Sequence, residues 1–286
     1  MNKPNLWIFG DSFGLSQNHH KNFKNNTDWF WGHQLVHLLG CGQLINHSQM
    51  GCSNEFIQYT MMQQFQHIQK DDYVVVITTD THRAWFFKDR PWLGNITTAI
   101  KAYEKNKAEL SRSEYQQLKS YVLLNDNDKQ CKMRLEAFVG WCHFASQMQH
   151  YRLCVLPGFD TTSIHHARGG NLQTIDIGEF VVDRTQSPEA AWQSRMDFFR
   201  NHSNVDPRIA HLSKPNHDVL AHKITTFMHD TYSNKPRDPW IELSIDAQDS
   251  EWCTGLYDAN TDDYYRCDPD QQQKQGAWGH YRARSA

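Results

Sequence analysis

Four short apolar runs, separated by longer stretches with helical spacing, constrain most strongly what this chain can fold into. Each run ends at a small, polar or proline residue, as a strand does where it opens into a loop. The runs lie at residues 6–9, 44–45, 73–77 and 153–156. Strands that are apolar along their whole length are typical of parallel sheets covered on both faces by helices. The alternation therefore predicts an α/β fold built from βαβ units around a mostly parallel sheet.

Helical spacing fills the connections between these runs. Residues 29–39 and 54–68 carry apolar side chains along one helix face, and Ser53 stands where it can cap the second helix. These two segments are predicted to be crossover helices. The next connection is longer. Residues 100–148 are rich in Lys, Glu, Gln and Leu and predict two helices with a break at 125–128, inserted as a lid or side wall.

The end of the chain differs from the rest. A last amphipathic helix is predicted over residues 216–232, and Pro236 and Pro239 mark a boundary after it. Residues 233–286 then change to acidic and aromatic clusters, a glutamine run and a basic end. We therefore expect one domain over residues 1–232 and a separate or partly disordered arm over residues 233–286.

Charge and composition exclude several classes of partner. The net charge is -3 with 29 Lys and Arg, so a basic footprint for a phosphate backbone is missing and nucleic acid is not an expected partner. A run of about 18 apolar residues and a signal sequence are also missing, which favours a cytoplasmic protein without a membrane span. The seven cysteines are scattered and odd in number, and we expect them to be reduced thiols.

The residues after the first run indicate nucleophilic chemistry. Ser12 follows that run directly, within the segment FGDSFG at residues 9–14. A turn at this point can expose the serine hydroxyl and N–H at the carboxyl edge of the sheet, where open α/β sheets place their ligands. A nucleophilic serine needs a neighbouring base, usually histidine, and donors for the developing oxyanion, often backbone N–H groups beside glycine. Candidates for both lie further along the chain.

Three segments together resemble the SGNH/GDSL hydrolases. The residues GDS at 10–12 are similar to the first block of that family, INHSQMG at 45–51 to its second, and HLSKPNH at 211–217 to its last. The blocks occur in the order that the family has. The resemblance implies the flavodoxin-like fold of these enzymes, a three-layer α/β/α sandwich with a mostly parallel central sheet.

The resemblance also implies roles for particular residues. Ser12 corresponds to the nucleophile, and His211, before the final helix, corresponds to the general base. The backbone N–H of Gly51 corresponds to an oxyanion donor that acts together with the N–H of Ser12. Asp11, beside the nucleophile, corresponds to a residue that organises the turn rather than to a base.

The third block of the family departs from this pattern. Where the family has an asparagine after the third strand, this chain has TTDTHR at residues 78–83. The hydroxyl of Thr79 or Thr81 could donate to the oxyanion in place of the missing amide. Asn54, shortly after the second block, is a further candidate for the oxyanion or for substrate binding.

The acid of the triad departs as well. In the family it stands three residues before the histidine, a position that Arg208 occupies in this chain. The nearest acid is Asp206, five residues before His211, and it is assigned the role of orienting that histidine. A dyad without an acid is the alternative, since oxyanion donors and binding contribute to the rate separately.

These residues lead to a serine ester hydrolase that acts through an acyl-serine intermediate. The expected substrate is a small acyl ester, such as an acetyl group on a carbohydrate, or a lipid-like ester. The resemblance implies neither a metal nor an organic cofactor. One alternative is a catalytically silent binding or assembly protein that contacts other proteins through residues 233–286. Another is an acyltransferase that uses the same residues.

Other histidines are interpreted as structural. His217 opens the last helix and is expected to pin the loop that carries His211. Adjacent histidines at 19–20 and 165–166 invite a metal site, but adjacent side chains rarely point the same way, and a recognised ligand spacing is missing from the sequence. We therefore expect no metal.

Overall fold

The computed structural model describes residues 3–15, 29–83, 85, 111–125, 128–159, 172, 212, 214–233, 243, 245, 252, 256–258 and 263–265. Strands within these residues are β1 (Leu6–Phe9), β2 (Leu44–Asn46), β3 (Tyr73–Thr78), β4 (Arg152–Pro157), β5 (Leu256–Asp258) and β6 (Asp263–Tyr265). The α-helices are α1 (Trp31–Leu38), α2 (Asn54–Gln64), α3 (Arg112–Asn125), α4 (Asp128–Gln149) and α5 (Lys214–Ser233). Two 3₁₀ turns cover Ser12–Gly14 and Phe65–His67.

The first four strands form one parallel sheet in the order β2-β1-β3-β4. All four predicted runs are strands of this sheet. The order is the beginning of the flavodoxin-like arrangement, in which the chain first adds a strand on one side of β1 and then crosses to the other. The reversal places a topological switch point between β1 and β3. Ligands of open α/β sheets bind at the carboxyl ends of the strands at such a point.

Helices cover both faces of the sheet. Side chains alternate along β3, so that Val75 and Ile77 pack against α1 and α5, whereas Val74 and Val76 pack against α2 and α4. The sheet residues on both sides are fully buried, which explains why the runs are apolar throughout. The three-layer α/β/α fold with a parallel central sheet is confirmed.

Helix α4 is part of this core. It buries a row of apolar side chains against the sheet, namely Leu135, Phe138, Val139, Cys142 and Ala145. The two-helix segment and its break between Asn125 and Asp128 lie where the sequence predicts them. However, α4 is the crossover layer before β4, so the helical segment is not an added lid. The composition of α4 is mixed because only one face of this long helix packs on the sheet. The sequence therefore did not indicate that α4 belongs to the core.

Residues after the predicted domain boundary also belong to the core. Ile245 and Trp252 are buried in the cluster that α1 and α5 form on the sheet, and Leu243 packs against it. The backbone N–H of Leu243 donates to the carbonyl of Val155 in β4 at 3.3 Å. A boundary at residue 232 therefore leaves core residues on the side of the arm. Ile241, Leu243 and Ile245 alternate with polar residues, which is the spacing of a half-buried strand, and sequence reasoning missed this signal.

The described cysteines are all free thiols: Cys41, Cys52, Cys131, Cys142 and Cys154. None of the helices in the described residues has the length and apolar character needed to cross a membrane.

Candidate functional site

The candidate nucleophile lies on a tight turn at the carboxyl end of β1. Ser12 begins the 3₁₀ turn, and the Asp11 side chain caps that turn by accepting a hydrogen bond from the Phe13 N–H at 3.0 Å. Ser12 is buried except for 7% of its surface. The turn closes with the Leu15 N–H donating to the Ser12 carbonyl at 3.3 Å. The serine therefore sits at the switch point of the sheet in a fixed backbone conformation.

Glycines let this turn approach its neighbours closely. A Cβ atom on Gly10 would lie 2.8 Å from the Cβ of Ile77 in β3. On Gly14 it would lie 2.1 Å from the hydroxyl of Ser48, in the loop after β2. Contacts this short are not possible for real side chains, so both positions require glycine. The turn is thereby packed between the end of β3 and the loop after β2.

That loop is tied to the turn by hydrogen bonds. The Asn46 side-chain amide donates to the Gly14 carbonyl at 2.6 Å. The backbone N–H of Gln49 donates to the Gly10 carbonyl at 2.9 Å. Gly51 follows with a φ of 69°, a left-handed conformation that favours glycine. The structure thus brings together two of the predicted segments, the serine turn and the loop that ends at Gly51.

Asp11 is the centre of a buried polar network. One carboxylate oxygen accepts from Phe13, and the other accepts from the Thr79 hydroxyl at 3.0 Å and from the Arg83 guanidinium at 3.0 Å. The carboxylate is fully buried. Burial raises the pKa of Asp11, while the Arg83 charge and the hydrogen bonds from Phe13 and Thr79 lower it by less. The network joins the serine turn to the end of β3.

Thr79 and Asn54 support one another. The Asn54 amide nitrogen donates to the Thr79 carbonyl at 2.9 Å, and the Thr79 N–H donates to the Asn54 amide oxygen at 2.9 Å. The Thr79 hydroxyl, in turn, donates to Asp11. Both side chains are buried. Two of the donors that the sequence proposed for an oxyanion, Thr79 and Asn54, therefore have partners inside the protein. Thr81, the third, lies in the loop after β3 and is half-buried.

Arg83 is a site residue that sequence reasoning missed. Besides Asp11, its guanidinium contacts the Thr79 hydroxyl and the Cys52 carbonyl, and it lies over the ring of Phe159 at 4.4 Å from the ring centre. Only 14% of its side chain is exposed. A basic residue shortly after a buried strand is the one signal that could have identified it, since an arginine there needs an acid such as Asp11.

Two described histidines, His217 and His47, pack against aromatic rings. His217 is buried against the ring of Trp29, and its Nδ1 accepts a hydrogen bond from the backbone N–H of Trp31 at 3.4 Å. These contacts tie α5 to the start of α1, and the pinning of the loop that carries His211 stays a prediction. His47 stacks on the ring of Phe9 at 5.4 Å between ring centres, and burial lowers its pKa.

The predicted base and acid cannot be placed in the same way. His211 and Asp206 lie outside the described residues. Leu212 is described and is buried in the core cluster with α1 and α5. The assignments of His211 and Asp206 therefore stay predictions.

Comparisons with known proteins give structural similarity only. No family model matches this chain, and no curated protein sequence matches it. Among solved structures, it is similar to a G-D-S-L family protein from Desulfitobacterium hafniense, with 14% identity, 55% of this chain and 61% of that chain covered, and a TM-score of 0.26. The psychrotrophic esterase EstA of a Pseudoalteromonas species shows 10% identity, coverage of 80% and 99%, and a TM-score of 0.35.

A GDSL-like protein of Bacteroides uniformis shows 12% identity, coverage of 79% and 95%, and a TM-score of 0.35. TM-scores this low carry no assignment of function. The fold of this chain follows instead from its own strand order and its two helix layers.

Proposed function

We propose that this protein is a serine ester hydrolase. The observation that supports the proposal best is the junction of the serine turn with the Gly51 loop at the switch point of the sheet. Ser12 lies there on a capped turn, and hydrogen bonds from Asn46 and Gln49 fasten the glycine loop to it. A nucleophile and backbone N–H donors on adjoining rigid segments are what acyl transfer requires.

The proposed reaction proceeds through an acyl-serine intermediate. Ser12 Oγ attacks the ester carbonyl carbon while His211 takes the hydroxyl proton. The N–H groups of Ser12 and Gly51 stabilise the oxyanion, and the tetrahedral intermediate expels the alcohol, which receives the proton from His211. Water then attacks the acyl-serine in the same manner and releases the acid. Asp206 orients His211 in this proposal.

The remaining candidate residues take supporting roles. Thr79 and Asn54 fix the end of β3, and Asp11 fixes the turn that carries the nucleophile. Thr81, in the loop after β3, contacts substrate in this proposal. The proposed substrate is a small acyl ester, such as an acetylated carbohydrate.

A serine replacement tests the proposal directly. We expect the full chain to hydrolyse p-nitrophenyl acetate and Ser12→Ala to lose at least about 1000-fold in kcat, because removal of a serine nucleophile costs up to about 10⁶. His211→Ala should lose a similar factor. Ser120→Ala is the matched control, since Ser120 is exposed on α3. Activity that survives in Ser12→Ala would overturn the mechanism.

A second candidate function is a catalytically silent binding protein on the same fold. The observation that favours it is the use of the Thr79 hydroxyl and the Asn54 amide inside the protein, which leaves the oxyanion to backbone donors. Ser12 also has only 7% of its surface exposed. Equal and negligible hydrolysis by the native chain, Ser12→Ala and His211→Ala would support this alternative.

A further inference from the structure

Helix α4 carries apolar side chains on its outer surface as well as on the face that packs on the sheet. Met133 and Phe144 are each 60% exposed, and Met148 is 63% exposed. Between them on the same side of the helix lie smaller or half-buried residues. We call the whole row the outer stripe of α4, and its members are Met133, Ala137, Gly140, Trp141, Phe144 and Met148.

The spacing of the outer stripe keeps its members on one side of the helix. From Met133 to Phe144 the intervals are four, three and four residues, and Met148 follows after four more. The fold of one chain does not use this side, because α4 packs on the sheet through its opposite face. A single exposed apolar side chain is ordinary on a protein surface, but a contiguous row of large ones marks an interaction site.

Helix α2 widens this apolar surface. Met62 is 56% exposed and follows Glu55 and Gln58 at helical intervals of three and four residues. Glu55 lies 3.8 Å from Arg134 of α4, so this side of α2 is turned toward α4. Met62 therefore lies at the edge of the outer stripe.

The area of the surface is that of a weak interface between two proteins. At roughly 100 Å² for each of the four large exposed side chains, and with the flanking parts of α2 and α4, one copy can bury about 500 Å². Two partners of this kind bury about 1000 Å² together, which is near the lower limit for specific interfaces. The surface therefore fits a reversible contact.

The order of large and small residues along the stripe fits a second copy of the same helix that runs in the opposite direction. A two-fold axis at the middle of the stripe places Met133 of one copy opposite Met148 of the other. The same axis places the small side chain of Ala137 opposite the large one of Phe144. Gly140, next to the axis, lets the two backbones approach. A parallel pair would instead set Phe144 against Phe144 and leave the space beside Ala137 unfilled.

Charge is also consistent with a second copy. The six residues of the outer stripe include no charged side chain, so an antiparallel pair brings no like charges together along it. The net charge of -3 is small for a chain of this length, and two copies therefore repel each other weakly. An uncharged stripe offers no attachment for a phosphate backbone or for an anionic membrane surface.

We propose that the outer stripe of α4 joins two copies of this chain in an antiparallel, two-fold dimer. The proposal does not depend on ester hydrolysis, because none of its residues belongs to the serine turn or to the Gly51 loop. Catalytic activity is therefore not needed to test it.

Sedimentation velocity of the full chain measures the association. We expect the mass to double as the concentration rises, with a Kd between about 1 and 100 µM for an interface of this size. Phe144→Asp should raise this Kd at least about tenfold, because it places a carboxylate from each copy in the apolar contact. Sodium chloride at about 0.5 M should not weaken the dimer, because salt screens charges and not apolar contacts.

Controls separate the contact from effects on the fold. Leu38 is 39% exposed on α1, which covers the other face of the sheet, so Leu38→Asp should leave the Kd within about twofold. Met148→Glu, at another exposed position of the stripe, is the second disrupting variant and should also weaken the dimer at least about tenfold. Thermal melting followed by circular dichroism checks that each variant is folded.

Disulfide cross-linking tests the antiparallel direction. Met133→Cys and Met148→Cys, mixed in equal amounts and oxidised with diamide, should form a covalent dimer that contains one chain of each. Either variant alone should form no more covalent dimer than the native chain, which controls for the native cysteines. Covalent dimer from each variant alone would refute the antiparallel pairing.

Three results would overturn the dimer itself. The first is a chain that stays monomeric up to about 200 µM, well above the Kd expected for this area. The second is an equal Kd for the native chain and for folded Phe144→Asp and Met148→Glu. The third is a dimer that dissociates in sodium chloride, because that dependence would show a contact between charged groups.

Discussion

Replacement of Arg83 by methionine tests the buried ion pair beside Ser12. Methionine preserves much of the length of the side chain but removes the charge, leaving the fully buried Asp11 carboxylate with hydrogen bonds from Phe13 and Thr79 only. Removing one partner of a buried ion pair typically costs about 3–5 kcal/mol. A protein of this size would lose about 2–4 °C in Tm for each kcal/mol.

Protonation of Asp11 limits this loss and makes it depend on pH. Without Arg83, the folded-state pKa of Asp11 rises further above the value near 3.9 that an unfolded aspartate has. The folded state then binds the proton more tightly than the unfolded state does, so stability falls as pH rises from about 4 toward the folded-state pKa. Ionising Asp11 in the folded variant lowers the free energy of unfolding by at most about 1.36 kcal/mol for each pH unit above 3.9. The largest loss that this ionisation can cause is therefore about 1.5 kcal/mol at pH 5 and about 5.6 kcal/mol at pH 8.

Urea unfolding followed by tryptophan fluorescence measures the loss at both pH values. We expect Arg83→Met to lose about 1–2 kcal/mol relative to the native chain at pH 5 and about 3–5 kcal/mol at pH 8. Adding Asp11→Asn to Arg83→Met should remove the dependence on pH. Arg112→Met, at an exposed position of α3, is the control and should change stability by less than about 0.5 kcal/mol. An equal loss at pH 5 and pH 8 would refute the reasoning, because it would show that Asp11 is not the group responsible.

Three further predictions address the core, the oxyanion loop and the thiols. Ile245→Ala should lower the free energy of unfolding in urea by about 2–5 kcal/mol, because Ile245 is buried. Met133 is 60% exposed, so Met133→Ala should lower it by less than about 0.5 kcal/mol. Equal losses would contradict the core position of residue 245. Gly51→Ala and Gly40→Ala should each lose about 1–2 kcal/mol, since both residues have a positive φ, but only Gly51→Ala should reduce ester hydrolysis. Burial raises the pKa of Cys41 to about 11, so that at pH 8 about one such thiol in 1000 is ionised. Iodoacetamide should therefore label Cys41 far more slowly in the folded chain than in the unfolded chain, and peptide mass spectrometry measures the two rates.

The strands and the serine turn could be predicted because their signals are local. Residues 6–9 are apolar between polar neighbours, and Ser12 follows them in a short glycine-containing segment. The cap of α2 is equally local, and Ser53 does accept the hydrogen bond from the Phe56 N–H. Each of these features depends on a few consecutive residues, so the sequence displays it directly.

The contacts that complete the site could not be predicted because they join residues far apart in sequence. Arg83 reaches Asp11 across 72 positions, and Asn54 meets Thr79 across 25. Ile245 enters the core from a short segment in which apolar and polar residues alternate, but the alternation does not say what the segment packs against. Nothing in the composition near these residues identifies the partner. The pairing of β1 with β3 brings Arg83 and Thr79 to Asp11.

The ion pair beside Ser12 is better explained by position than by stability. A buried ion pair seldom stabilises a fold relative to apolar residues of the same size, because removing two charges from water offsets their attraction. Asp11, however, joins three segments: the serine turn through Phe13, the end of β3 through Thr79, and the following loop through Arg83. An apolar side chain could fill the same volume, but it could not fix all three directions. The network therefore fixes the backbone of the turn that carries Ser12 relative to the end of β3.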